Sequence, residues 1–345
     1  MTPKGMLFGG SMIVDLVKRI SRFPGRGKLA VIHDVTRGVG GMACNNPVNV
    51  KVLNPDADVA TMGRIGDDEL GRYIIAQLSK KGVDTDAVAP TPAVPTSFTD
   101  VMVDVEDGSR TFFHSYGACA LWRPEDIPWD ALAGRFSCVH LGYVLLLESM
   151  DADDGEHGTV LAGVLKRFRD MGLRTAIDVV SEEGDRFRKI VTPSLRHVDD
   201  LVINEVEASA VTGTAVRDGD GTLSVAGLST AAERLFEAGV NKTVVLHAPE
   251  GALALTAEGK KYLQPSHDIK KTEIVSSVGA GDAFASGVLY GLNRGEDVPH
   301  ALKLGTAMAA LNLFDPTTTG GAKPYADVIA FANSRPYRKG TFDEH

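Results

Sequence analysis

The segment Ser276-Ser277-Val278-Gly279-Ala280-Gly281-Asp282-Ala283-Phe284 carries the most information about the fold. Its small residues at 279–281 allow the backbone to approach a ligand closely and to turn its N–H groups inward. The apolar-periodic run 283–292 predicts a helix that begins at this loop, and a helix N-terminus favours an anion. Asp282, in the first turn, can accept a proton from a hydroxyl. The segment therefore predicts a site for phosphoryl transfer.

The same residues are also compatible with a glycine turn in which Asp282 is an ordinary helix cap. Such a cap stabilises a helix by roughly 1 kcal/mol. The complete Gly-Ala-Gly-Asp-Ala-Phe at 279–284 is more specific than that. It resembles the C-terminal signature of the ribokinase-like (phosphofructokinase-B) family, Asp-Thr-x-Gly-Ala-Gly-Asp. The resemblance implies an ATP- and Mg²⁺-dependent kinase. It also implies that Asp282 is the catalytic base and that the amides of Gly279, Ala280 and Gly281 form the anion hole.

Outward from this segment, short apolar runs alternate with amphipathic ones, which predicts βαβ units and a mainly parallel sheet. The predicted core strands are Met6–Val14, Val59–Ile65, Cys138–Gly142, Arg174–Val180, Leu201–Asn204 and Thr243–His247. The predicted helices include Asp67–Lys81, Gly158–Asp170, Thr230–Ala238, Asp282–Asn293 and Pro299–Leu313. With the resemblance, the expected fold class is α/β: a ribokinase-like three-layer α/β/α core plus a small β-sheet lid.

Two β-rich stretches, Leu29–Thr36 and Ser97–Ser115, have no following helix and predict that small separate sheet. We expect one domain over residues 1–335, with the lid inserted at about 12–38 and 96–116, and a C-terminal tail over 336–345. The resemblance implies that the lid covers the acceptor site and forms the surface of a homodimer.

The acceptor site is predicted near the N-terminus. Gly40-Gly41-Met42-Ala43-Cys44-Asn45 resembles the family's Gly-Gly-x-x-x-Asn signature, which implies that Gly40, Gly41 and Asn45 contact the acceptor. Glycines permit close backbone approach, and an amide both donates to and accepts from hydroxyls. Asp15 resembles the family's substrate aspartate. Glu148 and His114 lie near the ends of predicted strands that face the substrate and are further candidates for acceptor binding.

A competing interpretation exists for the same region. Gly38-Val39-Gly40-Gly41-Met42-Ala43 also matches the loose dinucleotide fingerprint Gly-x-Gly-x-x-Ala, with Asp58 downstream. That interpretation, a nicotinamide-dependent dehydrogenase, requires a strand, a tight turn and a continuous helix. We expect instead a helix that starts only at Pro47 with Asn46 as its cap.

Nucleotide-binding residues are predicted at two further loops. Asn204-Glu205-Val206-Glu207 resembles the family's Asn-x-x-Glu element, which implies that Asn204 and Glu207 hold phosphate and Mg²⁺, the metal through water. A capped helix with a solvated glutamate is the alternative. Leu246-His247-Ala248-Pro249-Glu250-Gly251 stands at the family's nucleotide loop, so His247 and Gly251 are expected at the nucleotide together with Gly279 and Gly281.

The signature departs from the family at Ser276, where many members have an aspartate that helps to hold a monovalent cation. A neutral serine is a weaker ligand for K⁺, so we expect weak or absent K⁺ activation.

The composition of the chain limits the classes of partner that it is expected to bind. A net charge of -9 disfavours nucleic acid and anionic membranes. The three cysteines are far apart, which predicts reduced thiols and a cytoplasmic protein. We expect a small carbohydrate as acceptor, with a nucleoside as the alternative. A ligand-binding regulator that kept the fold but lost turnover is the alternative from another class.

Overall fold

The computed structural model describes residues 5–181 and 186–342. The first four residues of the predicted domain and the last three of the predicted tail lie outside these ranges. Strands and helices are numbered in chain order below. None of the helices in the described ranges is long and apolar enough to cross a lipid bilayer.

A large sheet forms the centre of the molecule. Its strands are β1 (Gly5–Gly10), β4 (Val59–Gly66), β5 (Asp84–Thr91), β8 (Phe136–Val144), β9 (Arg174–Val179), β10 (Asp200–Asn204), β11 (Thr243–Ala248), β12 (Gly251–Thr256) and β13 (Lys261–Pro265). Their order is β13-β12-β11-β10-β9-β8-β1-β4-β5. Neighbours from β5 to β11 are parallel, and β12 and β13 complete the sheet as an antiparallel edge. The predicted, mainly parallel, α/β fold is confirmed.

Helices cover both faces of this sheet. They are α1 (Met42–Leu53), α2 (Glu69–Lys80), α3 (Trp129–Leu132), α4 (Glu148–Asp151), α5 (Val160–Asp170), α6 (Phe187–Leu195), α7 (Glu205–Thr212), α8 (Val225–Glu237), α9 (Ala280–Asn293), α10 (Val298–Asn312) and α11 (Tyr325–Ser334). Side chains alternate along β1, so Leu7 packs in the apolar core with α5 and α8, and Phe8 packs in the core with α9 and α10. The result is three layers.

A second, four-stranded sheet stands apart from the large one. It contains β2 (Ile13–Ile20), β3 (Ile32–Gly40), β6 (Phe98–Asp104) and β7 (Arg110–Ser115), in the order β3-β2-β6-β7. The β2–β6 pair is parallel and the outer pairs are antiparallel. Strands β6 and β7 fall within the predicted stretch Ser97–Ser115, and β3 overlaps Leu29–Thr36 but continues to Gly40. Strand β2 lies in neither stretch.

Four chain junctions connect the small sheet to the core, and they touch in pairs. At the first pair, a Cβ built on Gly41 would lie 2.3 Å from the carbonyl oxygen of Ser11. At the second pair, a Cβ built on Gly117 would lie 2.6 Å from the carbonyl oxygen of Pro95. Gly41 and Gly117 both have positive φ, of 84° and 47°. Only glycine fits these crossings easily, because they combine a left-handed backbone with close backbone approach.

The predicted first strand, Met6–Val14, is wrong as one element. β1 ends at Gly10, where φ is 135°, and β2 begins at Ile13 in the other sheet. Asp15 therefore lies on the small sheet and not at the end of the first core strand. The predicted helix Thr230–Ala238 begins earlier, at Val225, capped by Ser224. The remaining predicted core strands and helices are confirmed to within two residues at each end.

The predicted helix start at Pro47 is also wrong. α1 runs unbroken from Met42 with Pro47 inside it. A proline in a helix leaves the carbonyl four residues earlier without its donor. That carbonyl belongs to Ala43, and the hydroxyl of Thr61 on β4 donates to it instead. Pro47 is tolerated because a neighbouring strand replaces the missing hydrogen bond.

Because α1 is continuous, a broken helix does not exclude the dinucleotide-binding interpretation. The position of the preceding strand does. The strand that leads into Gly40 is β3, which pairs antiparallel with β2 in the small sheet. A dinucleotide fold requires that strand in the parallel sheet, with the following helix crossing to its parallel neighbour. The connectivity excludes this arrangement.

Candidate active site

The glycine-rich segment forms the N-terminus of α9, as predicted. Gly279 is the N-cap residue, with φ of 79°. A Cβ built on it would lie 2.3 Å from the carbonyl oxygen of Thr318, so the loop is pressed against the chain after α10. The first amides of a helix have no partner within the helix, and Gly279, Gly281 and Asp282 line a cavity of about 280 Å³ at this helix start. Ala280 differs from its neighbours: its N–H donates to the Ser277 carbonyl oxygen at 3.3 Å, and it lines the larger adjoining cavity.

Asp282 does not cap this helix. Its side chain is buried, at 6% exposure, and its Oδ2 accepts hydrogen bonds from Asn45 Nδ2 at 2.8 Å and Tyr143 OH at 3.1 Å. Burial raises the pKa of Asp282 to about 6, although both donors act to lower it. Because Oδ2 takes both donors, Oδ1 is the oxygen left for a substrate hydroxyl. A carboxylate with a pKa of about 6 suits a general base near neutral pH.

Tyr143 is a residue of this site that sequence reasoning missed. It lies at the carboxyl end of β8 with φ of 59°, a conformation that is unusual for a non-glycine residue. Its backbone N–H donates to Asp178 Oδ1 at 2.7 Å, so a second missed residue fixes its position. Non-glycine residues in this region often mark functional sites. Neither residue belongs to a motif, because strand pairing brings both to the site.

Asp15 and the glycine pair meet at the start of α1. A Cβ built on Gly40 would lie 2.3 Å from Asp15 Oδ2, so a side chain at position 40 would displace this carboxylate. Burial and, secondarily, the charge of Asp282 raise the pKa of Asp15 to about 6. The structure thus brings Asp15, Gly40, Gly41 and Asn45 together beside Asp282.

The two additional acceptor candidates differ in placement. Glu148 is exposed, begins α4, and is not among the described residues that line the cavity at Asp282. His114 lies in register with Thr99, which is itself in register with Asp15, so all three share one row of the small sheet. Thr99 Oγ1 and His114 Nδ1 are 3.0 Å apart. His114 Nε2 is buried without a partner among the described residues.

Asn204 and Glu207 lie on the opposite wall of the same cavity. They form a capping box at the start of α7: the Glu207 N–H donates to Asn204 Oδ1 at 2.9 Å, and the Asn204 N–H donates to Glu207 Oε2 at 3.0 Å. Glu207 is buried rather than solvated and also accepts from Ser181 Oγ at 2.7 Å. Burial raises its pKa to about 7. The glutamate therefore both caps the helix and faces the cavity.

A second, larger cavity of about 720 Å³ adjoins the first. Asn204, His247 and Gly281 line both cavities. Small side chains of α10, including Ala309 and Ala310, form part of its wall. Its size and mixed apolar and polar lining suit a nucleotide whose terminal phosphate enters the smaller cavity.

His247 lies at the boundary of the two cavities, and Gly251 lines the larger one. They belong to the β11–β12 hairpin, which turns at Pro249 and Glu250. The ring of His247 packs on Phe284, with centroids 4.8 Å apart, and burial lowers its pKa to about 4. His247 is therefore a neutral side chain at neutral pH. A Cβ built on Gly251 would lie 2.6 Å from the carbonyl oxygen of Gln264, so this position requires glycine.

Comparison with known proteins agrees with this geometry. The chain is 26% identical over 322 residues to a deoxyribokinase from Salmonella typhi, covering 93% of this chain and 95% of that protein. It is 22% identical over 334 residues to a 5-dehydro-2-deoxygluconokinase from Bacillus cereus, covering 95% of each. The structure matches an Arabidopsis thaliana ribokinase complexed with ribose and ATP, with a TM-score of 0.79, 22% identity, and coverage of 96% and 99%.

The model of the pfkB family of carbohydrate kinases matches residues 5–324. The match spans the large sheet, the small sheet and the loop at Asp282. Members of this family are phosphotransferases with an alcohol acceptor. The resemblance inferred from the motifs is therefore confirmed over most of the chain. The protein belongs to the pfkB family of carbohydrate kinases.

Proposed function

We propose that the protein transfers the terminal phosphoryl group of ATP to a hydroxyl of a small sugar, with Asp282 as the base. The observation that carries this proposal is the position of Asp282: a buried carboxylate at the N-terminus of α9, beside both the phosphate-sized cavity and Asp15. Phosphoryl transfer depends mainly on positioning and charge stabilisation, and this geometry supplies both.

Each side chain has a role in the proposed mechanism. Asp15 and Asn45 orient the acceptor, and Oδ1 of Asp282 receives its proton. Asn45 and Tyr143 hold the other oxygen of the base at 2.8 and 3.1 Å. The amides of Gly279 and Gly281, which line the smaller cavity, would face the charge that develops on the transferred group. The Ala280 amide, predicted to join them, donates to the Ser277 carbonyl oxygen instead. Closure of the small sheet over the acceptor would exclude water.

The residues present fit Mg²⁺ bound with the nucleotide. Asp178, Glu207 and Asp282 line one cavity, and the charges of Asp282 and Glu207 help burial to raise the pKa of Asp178. A cation would relieve this repulsion. Within the described residues no three His, Cys, Asp or Glu side chains form a complete metal site. Mg²⁺ usually keeps several waters and binds through one or two carboxylates plus substrate phosphates. Glu207 and Asp178 would hold the ion, which would neutralise phosphate charge when bound.

A carbohydrate is the favoured acceptor class. The deoxyribokinase and 5-dehydro-2-deoxygluconokinase relatives are named for sugars that differ in length and charge, so their names do not define one acceptor. Carboxylate and amide groups such as Asp15 and Asn45 bind polyhydroxyl compounds through several hydrogen bonds. A nucleoside remains the alternative acceptor on the same site.

The direct test is an ATP-consumption screen across pentoses, deoxypentoses, hexoses, keto-aldonic acids and nucleosides. Asp282→Asn should reduce turnover with the best acceptor by at least roughly 10²-fold, the usual scale for a lost general base. Near-normal turnover in this variant would refute the base assignment. An absence of turnover with every acceptor, despite ATP binding, would favour a regulator.

We also propose that activity does not require K⁺. The side chain of Ser276 is neutral and buried, at 3% exposure, and its Oγ accepts from the Val278 N–H at 3.1 Å. Replacing KCl by choline chloride at equal ionic strength should leave kcat unchanged. A many-fold rise with K⁺ would contradict this.

A homodimer through the small sheet is the proposed assembly. Strand β3 is an edge strand, and large apolar side chains are exposed on and near this sheet. They are Phe23, Leu29, Val31, Ile32, Val35, Phe112 and Phe113. Clustered exposed apolar groups mark interaction surfaces. Sedimentation equilibrium should show a dimer that Val35→Glu weakens, and a wild-type monomer at micromolar concentration would refute the proposal.

A further inference from the structure

The small sheet places an arginine on the loop before α9. Arg110 begins β7, at the end of that strand remote from the Gly117 junction. Its Nη1 donates to Ser276 Oγ at 3.1 Å, across 166 residues of sequence. Ser276 lies three residues before the N-cap Gly279, so the guanidinium rests against the segment that leads into α9. Neither Arg110 nor Ser276 is among the described residues that line the two cavities, so contact with a phosphoryl group requires the small sheet to move toward it.

The charge around this contact is uneven. From Val275 to Phe284 the chain carries no basic side chain, and its one charged residue is Asp282. The adjoining cavity is lined by the carboxylates of Asp178, Glu207 and Asp282. A phosphoryl group entering this region would meet negative side chains, opposed by amide dipoles and by Mg²⁺ when it is bound. The basic side chains Lys271 and Arg338 line the larger cavity and not this one. A fixed positive charge is therefore most useful here.

Arg110 is available to supply that charge. Within the described ranges, no carboxylate lies within 4.0 Å of its guanidinium, whereas Lys18 of the same sheet is paired with Asp100. A guanidinium carries five N–H donors, and one bond to a neutral hydroxyl leaves its charge uncompensated. The serine thus orients the arginine without neutralising it.

We propose that Arg110 is a binding residue for the terminal phosphoryl group, held in position by Ser276. The inference rests on the proposed kinase function and deepens it, because it makes the small sheet part of the phosphate site. The sheet that covers the acceptor would then also complete the charge that stabilises transfer. An aspartate at position 276 would pair with Arg110 and cancel this contribution.

Binding of nucleotides tests this without knowledge of the acceptor. Calorimetry with Mg²⁺ would compare ADP with AMP-PNP, which differ by the terminal phosphoryl group. Arg110→Ala should weaken AMP-PNP binding about tenfold or more and leave ADP binding nearly unchanged. Arg37→Ala is the matched control, since it removes an arginine of the same sheet that pairs with Glu69 on the surface.

Two variants at position 276 distinguish the effect of the Arg110 charge from the effect of its contact with Ser276. Ser276→Asp should reproduce the selective loss of AMP-PNP affinity. Ser276→Ala should cause a smaller loss, because the arginine keeps its charge but loses the hydrogen bond that positions it. With an acceptor identified, Arg110→Ala should lose about 10²-fold in kcat, with partial rescue by added guanidinium.

An equal effect of Arg110→Ala on both nucleotides, or no effect on either, would overturn the proposal while the kinase function stands. Failure of the wild-type protein to bind either nucleotide would overturn the kinase function and this proposal together. Melting temperatures close to wild type would show that the variants are folded.

Discussion

At the scale of single residues, the chemistry depends on how the carboxylate of Asp282 is held. Two donors on one oxygen stabilise its charged form, and burial destabilises it, with the balance at a pKa of about 6. Below that pH the base is protonated and cannot accept the proton of the acceptor. The rate should therefore fall as the pH drops through about 6.

Tyr143→Phe tests this balance. Loss of a hydrogen bond that favours the carboxylate should raise the pKa of Asp282, so the acid limb of kcat/KM should move up by about one pH unit. Activity should fall more at pH 6 than at pH 8. Tyr290→Phe is the control, since its hydroxyl bonds Asn54 outside the site. An unmoved acid limb in Tyr143→Phe would contradict the proposed role.

At the scale of elements, the position of the residues proposed to bind the acceptor depends on the close approach of β2 to the end of β3. Gly40→Ala would place a methyl group 2.3 Å from Asp15 Oδ2 and push this carboxylate away. We expect kcat/KM for the acceptor to fall by about tenfold or more, the scale of a lost hydrogen bond to a charged group. Nucleotide binding should not change.

Gly38→Ala provides the comparison for this variant. It lies on the same strand, and a Cβ built there would meet nothing within 4 Å. Equal losses in the two variants would mean that strand flexibility, and not the contact with Asp15, determines acceptor binding.

Elements also show where sequence reasoning succeeds. Asp282, Asn45 and Gly40 are found because each belongs to a local pattern whose glycines and polar groups act together. The start of α1 is missed because a hydroxyl from another strand, that of Thr61, compensates for Pro47. The sequence around Pro47 does not reveal that a hydroxyl on another strand replaces the missing hydrogen bond. Tyr143 and Asp178 are missed for the same reason.

At the scale of the whole molecule, the C-terminal segment packs beside the larger cavity, where the nucleotide is proposed to bind. Phe342 is 6% exposed and packs in the main apolar core. A Cβ built on Gly251 would lie 2.8 Å from its ring. His267, just after β13, forms an isolated bridge with Tyr337, so the segment after α11 contacts both the sheet and the loop that follows it.

Phe342→Ala should therefore lower the stability, by about 2 kcal/mol near a chain end against 3–5 kcal/mol for a fully enclosed phenylalanine. It should also raise the Kd for nucleotide, because Gly251 lines the larger cavity. Thermal melting and calorimetry measure the two effects. Phe342→Leu should retain most of both, and an unchanged melting point in the alanine variant would show that the segment contributes nothing.

The paired junctions at Ser11–Gly41 and Pro95–Gly117 are where the small sheet joins the core, and together they would act as its hinge line. Asp15 and Gly40, which are proposed to bind the acceptor, lie beside that line. A bound sugar would therefore contact the hinge and restrict its movement. An empty enzyme would then have a loosely held flap and an incomplete catalytic centre. Wasteful hydrolysis of ATP would be suppressed until the sugar arrives, with no dedicated gate.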